Sequence, residues 1–397
     1  MQLRELTLEN FRLYRQLSLA LSPQGLRIAG PNGSGKTSLL EALLLLSTTR
    51  SRRGVQDGDL IHHESGIDLG VAPYARVSGA LERPDGHARI EIFIERDAVR
   101  SNSRKLVRVA DRPRKAIDVV GLLPTVSFAP EDLELVIGSP TVRRRFLDVL
   151  LSQTDRQYMR HLARYTRILS HRNGLLRRTN GTAAPAAEFD YWDEQLIGLG
   201  AHLLAARTKA VDVLSAAAAQ QFATLTPSAG TLAVRYVSSL KQPPGWWEQL
   251  DASGRAPIDL AQRIGVAFER QLRSTLQDDQ ARGATQTGPH RDDIALTLDG
   301  RDLSRFGSRG QQRMAVVALK LAEIAYARHV LELNPVLLLD DVLSELDPSH
   351  RAKLLATVRA SGSQVFVSAT EESLLDSSDL DDLPRAALVA PGELEVS

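Results

Sequence analysis

"GLRIAGPNGSGKTSLLEALLLLS", residues 25–47, decides the fold, because an apolar run, a glycine-rich loop and an apolar helix follow one another without a break. The loop matches G-x-x-x-x-G-K-[ST] at Gly30, Gly35, Lys36 and Thr37, after a strand pattern and before a helix pattern. Glycines let backbone N–H groups curl around phosphate oxygens, and the helix N-terminus adds positive potential. The whole loop, Gly30, Pro31, Asn32, Gly33, Ser34, Gly35, Lys36, Thr37 and Ser38, is the expected phosphate cradle. Lys36 is expected to reach the β and γ oxygens and Thr37 to ligate Mg2+. The bland alternative is a glycine-rich turn that caps a core helix.

A second motif lies about 300 residues further on. In "PVLLLDDVLSELD", residues 335–347, an apolar run ends in Asp340 and Asp341, so both carboxylates sit at the carboxyl end of a buried strand, where α/β sheets place ligands. Asp340 is suited to hold Mg2+ and Asp341 to orient or activate an attacking water. Alone, such acids are as often a structural turn; beside a phosphate loop they read as a metal site. With Lys36, Asp341 is expected to act on the reaction itself.

"SRGQQRMAVVALKLAEIAYA", residues 308–327, opens a long apolar helix with Ser308 and Gly310, leaving a hydroxyl and several free N–H groups at its tip. An anion site and a plain serine N-cap both fit that pattern.

The chain around these motifs bounds the answer. Its 397 residues exceed what one core usually organises, so two lobes are expected. No window of about 18 apolar residues appears, and "MQLRELTLENFRLY", residues 1–14, lacks the order of a signal peptide. There is no cysteine, and the nine histidines show no metal-ligand spacing. A cytoplasmic protein that does not cross a membrane is the expectation.

The net charge of +1 hides a segregated distribution. Residues 96–115 hold eight basic residues against two acids, residues 143–178 ten arginines against Asp148 and Asp155, and residues 371–397 eight acids against Arg385. Basic middle and acidic tail imply a partner-facing surface. Two groups are candidates for tracking a nucleic-acid backbone: Arg156, Arg160, Arg164 and Arg167 on one helical face, and Arg104, Lys105, Arg108, Arg112, Arg114 and Lys115. A charge run is also commonly a solvated face. Tyr158 and Tyr165 are expected to face the core, so phosphate contact is favoured over base stacking.

Periodicity gives the rest. Leu3, Leu6 and Leu8 mark an opening strand, residues 67–120 alternate as an antiparallel sheet, and Pro140 to Arg178 reads as one amphipathic helix. The segment "TNGTAAPAA", residues 179–187, breaks it. A partner helix then carries Trp192, Leu196, Leu199, Leu203, Ala206, Ala210, Val213 and Ala217 at heptad spacing, which gives a helical hairpin. The last third alternates strand and helix, as a parallel sheet does.

Taken together, "GPNGSGKT", "SRGQQ" and "LLLDDVLSELD" resemble the Walker A, signature, and Walker B plus D-loop motifs of ABC-type ATPase heads of the SMC and Rad50 class, in the same order. "LTLENFRLY" (6–14), "PEDLELVIGSPTVRRRFLD" (130–148), "TGPHRDD" (287–293) and "GQQRMAVVALKLAE" (310–323) extend the resemblance to the RecF family over nearly the whole chain.

The resemblance implies an α/β fold: an ABC-type P-loop ATPase head with a mixed sheet and an antiparallel β subdomain, plus a mainly helical second lobe. The halves of the head would be 1–135 and 286–397, with the helical lobe at 136–285. It implies ATP sandwiched between two copies, with Ser308, Gly310 and Gln311 reaching the γ-phosphate in trans, Asp347 at the shared interface, and Arg12 and Asn32 beside the nucleotide. It also implies DNA (single-stranded, duplex and gap junctions), the partners RecR and RecO, and roles in recombinational repair, replication restart and SOS induction. The rival within the fold is another Rad50 or SMC head, against which the short hairpin argues.

Three departures stand out. A shorter aspartate, Asp341, replaces the glutamate usual after Walker B, and "SATEE" at Ser368 to Thr370 and beyond lacks the switch histidine, so hydrolysis is expected to be slow. The nearest Q-loop candidate is Gln56. For "TGPHRDD", contact of His290 and Arg291 with nucleotide or DNA and the simple fixing of a turn remain equal.

Overall fold

The computed structural model describes residues 1–51, 56–66, 70–96, 103–178, 186–241 and 257–396. The chain divides into two compact units, Met1–Asp132 with Lys320–Ser397, and Leu133–Leu319. The second unit thus extends beyond residue 285 to take in "TGPHRDD" and Ser308.

The first unit is built on two six-stranded sheets. One is antiparallel, in the order β2-β1-β4-β5-β6-β7, from β1 (Gln2–Phe11), β2 (Tyr14–Ala20), β4 (Tyr74–Arg83), β5 (Gly86–Arg96), β6 (Ser103–Val109) and β7 (Arg112–Arg114). Leu3, Leu6, Leu8 and Phe11 are its buried row on β1. The odd step from Leu3 to Leu6 has a cause: the pairing of β1 with β4 shifts register between Leu3 and Glu5, and one extra residue restores the inward face.

The other sheet runs β15-β14-β3-β13-β12-β8, from β3 (Gly25–Ala29), β8 (Thr125–Phe128), β12 (Val336–Asp340), β13 (Val365–Ala369), β14 (Arg385–Ala390) and β15 (Glu393–Val396). All neighbours are parallel except the β14–β15 hairpin. β3, β12 and β13 are buried along nearly their whole length, as strands covered on both faces are. The helix Lys36–Thr48 is buried almost all round, which explains its run of leucines. Because β3, β13 and β12 are adjacent, their carboxyl ends bring Gly30, Ser368 and Asp340 to one edge.

The tail is not a free acidic extension. Asp381 lies 3.7 Å from Arg27, Asp382 3.5 Å from Arg359, and Glu372 and Asp376 pair with Arg385 at 3.3 and 2.9 Å. Four of the eight acids are therefore matched within the chain.

The second unit is mainly helical. The single helix expected from Pro140 to Arg178 is two, Pro140–Thr154 and Arg156–Arg178. Asp155 is extended between them, and its carboxylate accepts a hydrogen bond from Gln157 N–H at 2.7 Å, so it restarts the helix as an N-cap. The helix Asp190–Leu225 packs along Arg156–Arg178. Residues 179–185 of the segment between them lie outside the described residues.

The heptad seam is only partly kept. Leu196, Leu199, Leu203 and Ala210 are buried, but Val213 is exposed and Val211, Leu214, Ala218 and Phe222 take over. A straight helix drifts about 20° per heptad relative to a 3.5-residue repeat, so over 36 residues the seam walks round the surface. A three-stranded antiparallel sheet, β9 (Leu232–Val237), β10 (Asp293–Leu298) and β11 (Arg301–Asp302), completes the unit.

Candidate functional site

β3 delivers the chain to a loop whose Gly33 and Gly35 have φ of 79° and 119°, values that disfavour any side chain. Lys36 is buried and donates to the carbonyls of Gly30 (2.6 Å) and Pro31 (2.9 Å). Burial pushes its pKa below that of an exposed lysine, against the raising pull of Asp341 and Asp340. The Ser34 hydroxyl is buried with no hydrogen-bond partner. Pro31, Asn32 and Gly33 are exposed at the tip, and Thr37 and Ser38 are half-buried in the first helical turn.

Across from the loop, one carboxylate oxygen of Asp340 accepts from Thr37 Oγ1 and from Ser368 Oγ, each at 3.0 Å. Ser368 also holds the next residue, since Asp341 N–H donates to both its carbonyl and its hydroxyl oxygen at 3.2 Å. Asp341 takes a left-handed φ of 52°, and its Oδ1 is buried without a partner. A buried acceptor left unmade is costly, and here, against the lowering effect of burial, its carboxylate is close enough to the Lys36 ammonium to raise that group's pKa. The cleft beside Thr37 and Asp340 is lined also by Glu41, Ser127, Phe128 and Glu131. The last three come from β8 and the "PEDLEL" run after it. Gln56, the Q-loop candidate, is instead the exposed N-cap of the short turn Asp57–Leu60.

Arg12 is anchored beside the Walker loop: its guanidinium donates to both oxygens of Glu41 on the Walker helix (2.8 and 3.1 Å) and to Asp59 O (3.0 Å). Asp347 caps the helix Pro348–Ala360 by accepting from Ser349 N–H and His350 N–H at 3.0 and 3.2 Å, and its side chain is largely exposed. Sequence reasoning missed Tyr14 and Ser368. Tyr14 is fully buried and donates its hydroxyl to Gly35 O at 3.0 Å, and burial raises its pKa.

In the second unit, Ser308 opens the helix Arg309–Leu331 in a reciprocal cap. Ser308 N–H donates to Gln311 Oε1 (2.9 Å), and Gln311 N–H donates to Ser308 Oγ (3.2 Å). The N-cap and anion-site readings therefore coexist, because this bond uses the hydroxyl as acceptor and leaves its proton to donate. Ser308 and Gly310 are exposed, a Cβ added at Gly310 would meet nothing nearer than 3.9 Å, and Phe306 two residues earlier is 70% exposed.

Arg156, Arg160, Arg164 and Arg167 are all exposed, and none makes an ion pair among the described residues, whereas Tyr158 and Tyr165 are buried. The stripe continues to His171, whose ring stacks on Trp192, itself edge-on to an exposed Tyr191. In the first unit Arg104, Arg108, Arg112, Arg114 and Lys115 are exposed. Lys105 leaves that set: it points to the opposite face of β6, donating to Thr49 O and pairing with Asp57 at 2.7 Å.

"TGPHRDD" is a structural hub. Asp292 accepts from Tyr236 Oη and Ser239 N–H at 2.6 Å, and Asp293 holds Arg143 through two hydrogen bonds. Arg291 is exposed and donates to Thr285 O. His290 lies between Tyr165 Oη (2.8 Å, to Nδ1) and Thr285 O (3.0 Å, to Nε2). A carbonyl only accepts, so the fitting tautomer is Nε2–H, with Nδ1 accepting from the tyrosine. Burial pushes the His290 pKa from 6.5 down to about 4, against the raising effect of Thr285 O.

The folded state therefore binds fewer protons here than the unfolded chain between about pH 6.5 and 4. Stability is full above that window and falls as pH drops through it, by about 3 kcal/mol at the acid end. Buried Asp292, whose pKa burial raises, acts in the opposite sense, so the test is a difference. Urea unfolding of wild type and His290→Asn at pH 7 and pH 4.5 should show the stability gap narrowing at the lower pH. A gap independent of pH would refute the assignment.

The family model described as "RecF/RecN/SMC N terminal domain" matches residues 2–387. The "DNA replication and repair protein RecF" of Thermomicrobium roseum is 45% identical over 386 residues, 97% of each chain. A solved structure of "the recombination mediator protein RecF-ATP in RecFOR pathway" superposes with a TM-score of 0.83 at 28% identity, covering all of this chain and 97% of the other. An SMC head bound to the C-winged helix domain of ScpA superposes with a TM-score of 0.53 at 15% identity, covering all of this chain and 97% of that one, a likeness of fold alone. No helix among the described residues is long and apolar enough to cross a membrane.

Proposed function

The chain belongs to the RecF family of the RecF/RecN/SMC group, an ABC-type ATPase family with an α/β head, and from that premise we propose that ATP binding joins two copies into a clamp on DNA. The observation that carries this reading is the edge where Lys36, Thr37, Asp340 and the unpartnered oxygen of Asp341 converge. Backbone N–H groups of Gly33 to Thr37 cradle the phosphates, and Lys36 moves from the loop carbonyls to the β and γ oxygens. Thr37 and Asp340 are hard oxygen donors that suit Mg2+, whose charge would offset that of the phosphate oxygens.

Asp341 is the group placed to orient water, and being shorter than glutamate it makes turnover slow, in keeping with a weak, DNA-stimulated ATPase. Ser308, Gly310 and Gln311 of a second copy complete the site, and Asp347 joins that interface. The exposed Ser308 hydroxyl, with a proton to donate, supports this arrangement. The nucleotide then works chiefly as a switch between one copy and two.

The exposed stripe Arg156, Arg160, Arg164 and Arg167 supports contact with the phosphates of single-stranded DNA, duplex and gap junctions. The relatives' names support a role in DNA replication and repair, and RecR and RecO are the partners to test first. The higher similarity to RecF than to the SMC head argues against another SMC-type complex.

One sedimentation experiment tests both halves, using wild type, Ser308→Arg, and the triple change of Arg156, Arg160 and Arg164 to glutamate, each with ATP, with ADP, and with labelled gapped duplex. Wild type should dimerise with ATP alone. Ser308→Arg should stay monomeric, and the triple variant should dimerise yet bind DNA at least tenfold more weakly with a flatter salt dependence. A wild type that remains monomeric at saturating ATP sinks the clamp, and unchanged DNA affinity and salt slope remove the stripe.

A further inference from the structure

We infer that the C-terminal β14–β15 hairpin and Tyr14 brace the phosphate loop from outside, making Gly392 and Tyr14 positioning residues for the nucleotide. This rests on the reading of that loop as an ATP site. β14 pairs in parallel with β3, Ala387 opposite Ala29, and so runs directly beside the strand that ends at Gly30. Its turn into β15 places Gly392 N–H on Ser34 O at 3.0 Å. The next carbonyl, Gly35 O, accepts from Tyr14 Oη at 3.0 Å and from Leu39 N–H at 3.0 Å.

The consequence follows from peptide geometry. In a trans peptide the C=O and N–H point in opposite directions, and the chain has no cis peptide among the described residues. Fixing Ser34 O on Gly392 aims the N–H of Gly35 the other way, into the loop. Fixing Gly35 O on Tyr14 and Leu39 does the same for the N–H of Lys36. Those two N–H groups are among the ones that must face phosphate oxygens. Glycines on both sides of the loop otherwise leave these planes free to rotate.

The fit is tight from both directions. A Cβ at Gly392, where φ is 79°, would stand 2.3 Å from Leu13 O, the residue before Tyr14. A Cβ at Gly35 would stand 3.0 Å from Tyr14 Oη, and one at Gly30 3.0 Å from Leu388 Cβ on β14. At Gly392 only glycine permits this approach, and at Gly35 and Gly30 a side chain would push the tyrosine or β14 back by a few tenths of an ångström. The brace acts on donors that serve the α and β phosphates, so it should favour ATP and ADP equally.

The test measures Kd for ATP and for ADP, with Mg2+, on full-length wild type, Tyr14→Phe, Gly392→Ala, a chain ending at Ala390, and Val389→Ser as a control on the exposed face of β14. Each brace variant should raise both Kd values by the same factor, about three- to tenfold for one lost hydrogen bond, and Val389→Ser should leave them unchanged. ATPase assays should show KM rising by that factor with kcat unaltered at saturation. If Tyr14→Phe and Gly392→Ala lower the melting temperature but leave both Kd values within twofold of wild type, the residues are merely structural and the inference falls. If wild type itself binds neither nucleotide, the reading of the loop falls and takes the brace with it.

Discussion

Lys36→Met is expected to weaken ATP binding by about a hundredfold or more while leaving the melting temperature of the nucleotide-free protein unchanged or slightly higher. The two effects have different origins. A phosphate-bound ammonium makes charge-assisted hydrogen bonds of about 1.5–3 kcal/mol each, and losing two of them gives that fold-change. Without nucleotide the same ammonium is buried, held by the carbonyls of Gly30 and Pro31, with its charged form disfavoured by desolvation. Methionine has similar length, buries no charge, and leaves behind two carbonyls at the rim of the loop that water can reach. Calorimetry with and without ATP checks both, since a ligand at 100 times its Kd stabilises by about 2.7 kcal/mol and a hundredfold weaker one by a few tenths. A variant that keeps the wild-type ATP-induced shift would show that Lys36 does not bind the phosphates.

Much of the site was legible because each piece of chemistry is local in sequence. Gly30 to Thr37 carry their own turn geometry, Asp340 ends an apolar strand, and Ser308 caps the helix it precedes. What holds the pieces together is not local. Ser368 ties Asp340 and Asp341 from the neighbouring strand, and Gly392 reaches Ser34 across more than 350 residues. Only sheet order brings them together, and no spacing rule encodes it.

Arg12 shows the same limit. Its place beside the Walker loop was readable, but its pairing with Glu41 on the Walker helix was not. The arginine stripe was legible as a face, yet the neighbouring arginines were not: Arg172 and Arg207 belong to the same arginine-rich population by composition and are fully buried.

Arg207→Met is expected to destabilise the protein by about 3 kcal/mol in urea unfolding, several times the effect of replacing a surface arginine. Arg207 sits in the seam of the helix Asp190–Leu225 and donates to Asp148 Oδ1 (2.7 Å), Tyr158 Oη (2.9 Å) and Pro289 O (2.6 Å). Methionine fills similar space but strands the Pro289 carbonyl and takes the counter-charge from Asp148, whose carboxylate keeps the Tyr158 hydroxyl as a donor at 2.5 Å. The figure sits at the low end for a broken buried pair because Asp148 keeps a quarter of its side chain in water and can be partly rehydrated. Adding Asp148→Leu and Tyr158→Phe removes the uncompensated carboxylate and the hydroxyl that donates to it, leaving only Pro289 O without its donor, so the triple variant should regain most of the loss even though it has fewer polar contacts than Arg207→Met. That order separates two accounts of the cluster. If the triple variant is no more stable than Arg207→Met, the cost lies in lost packing; if it recovers, it lies in leaving the Asp148 carboxylate without its counter-charge.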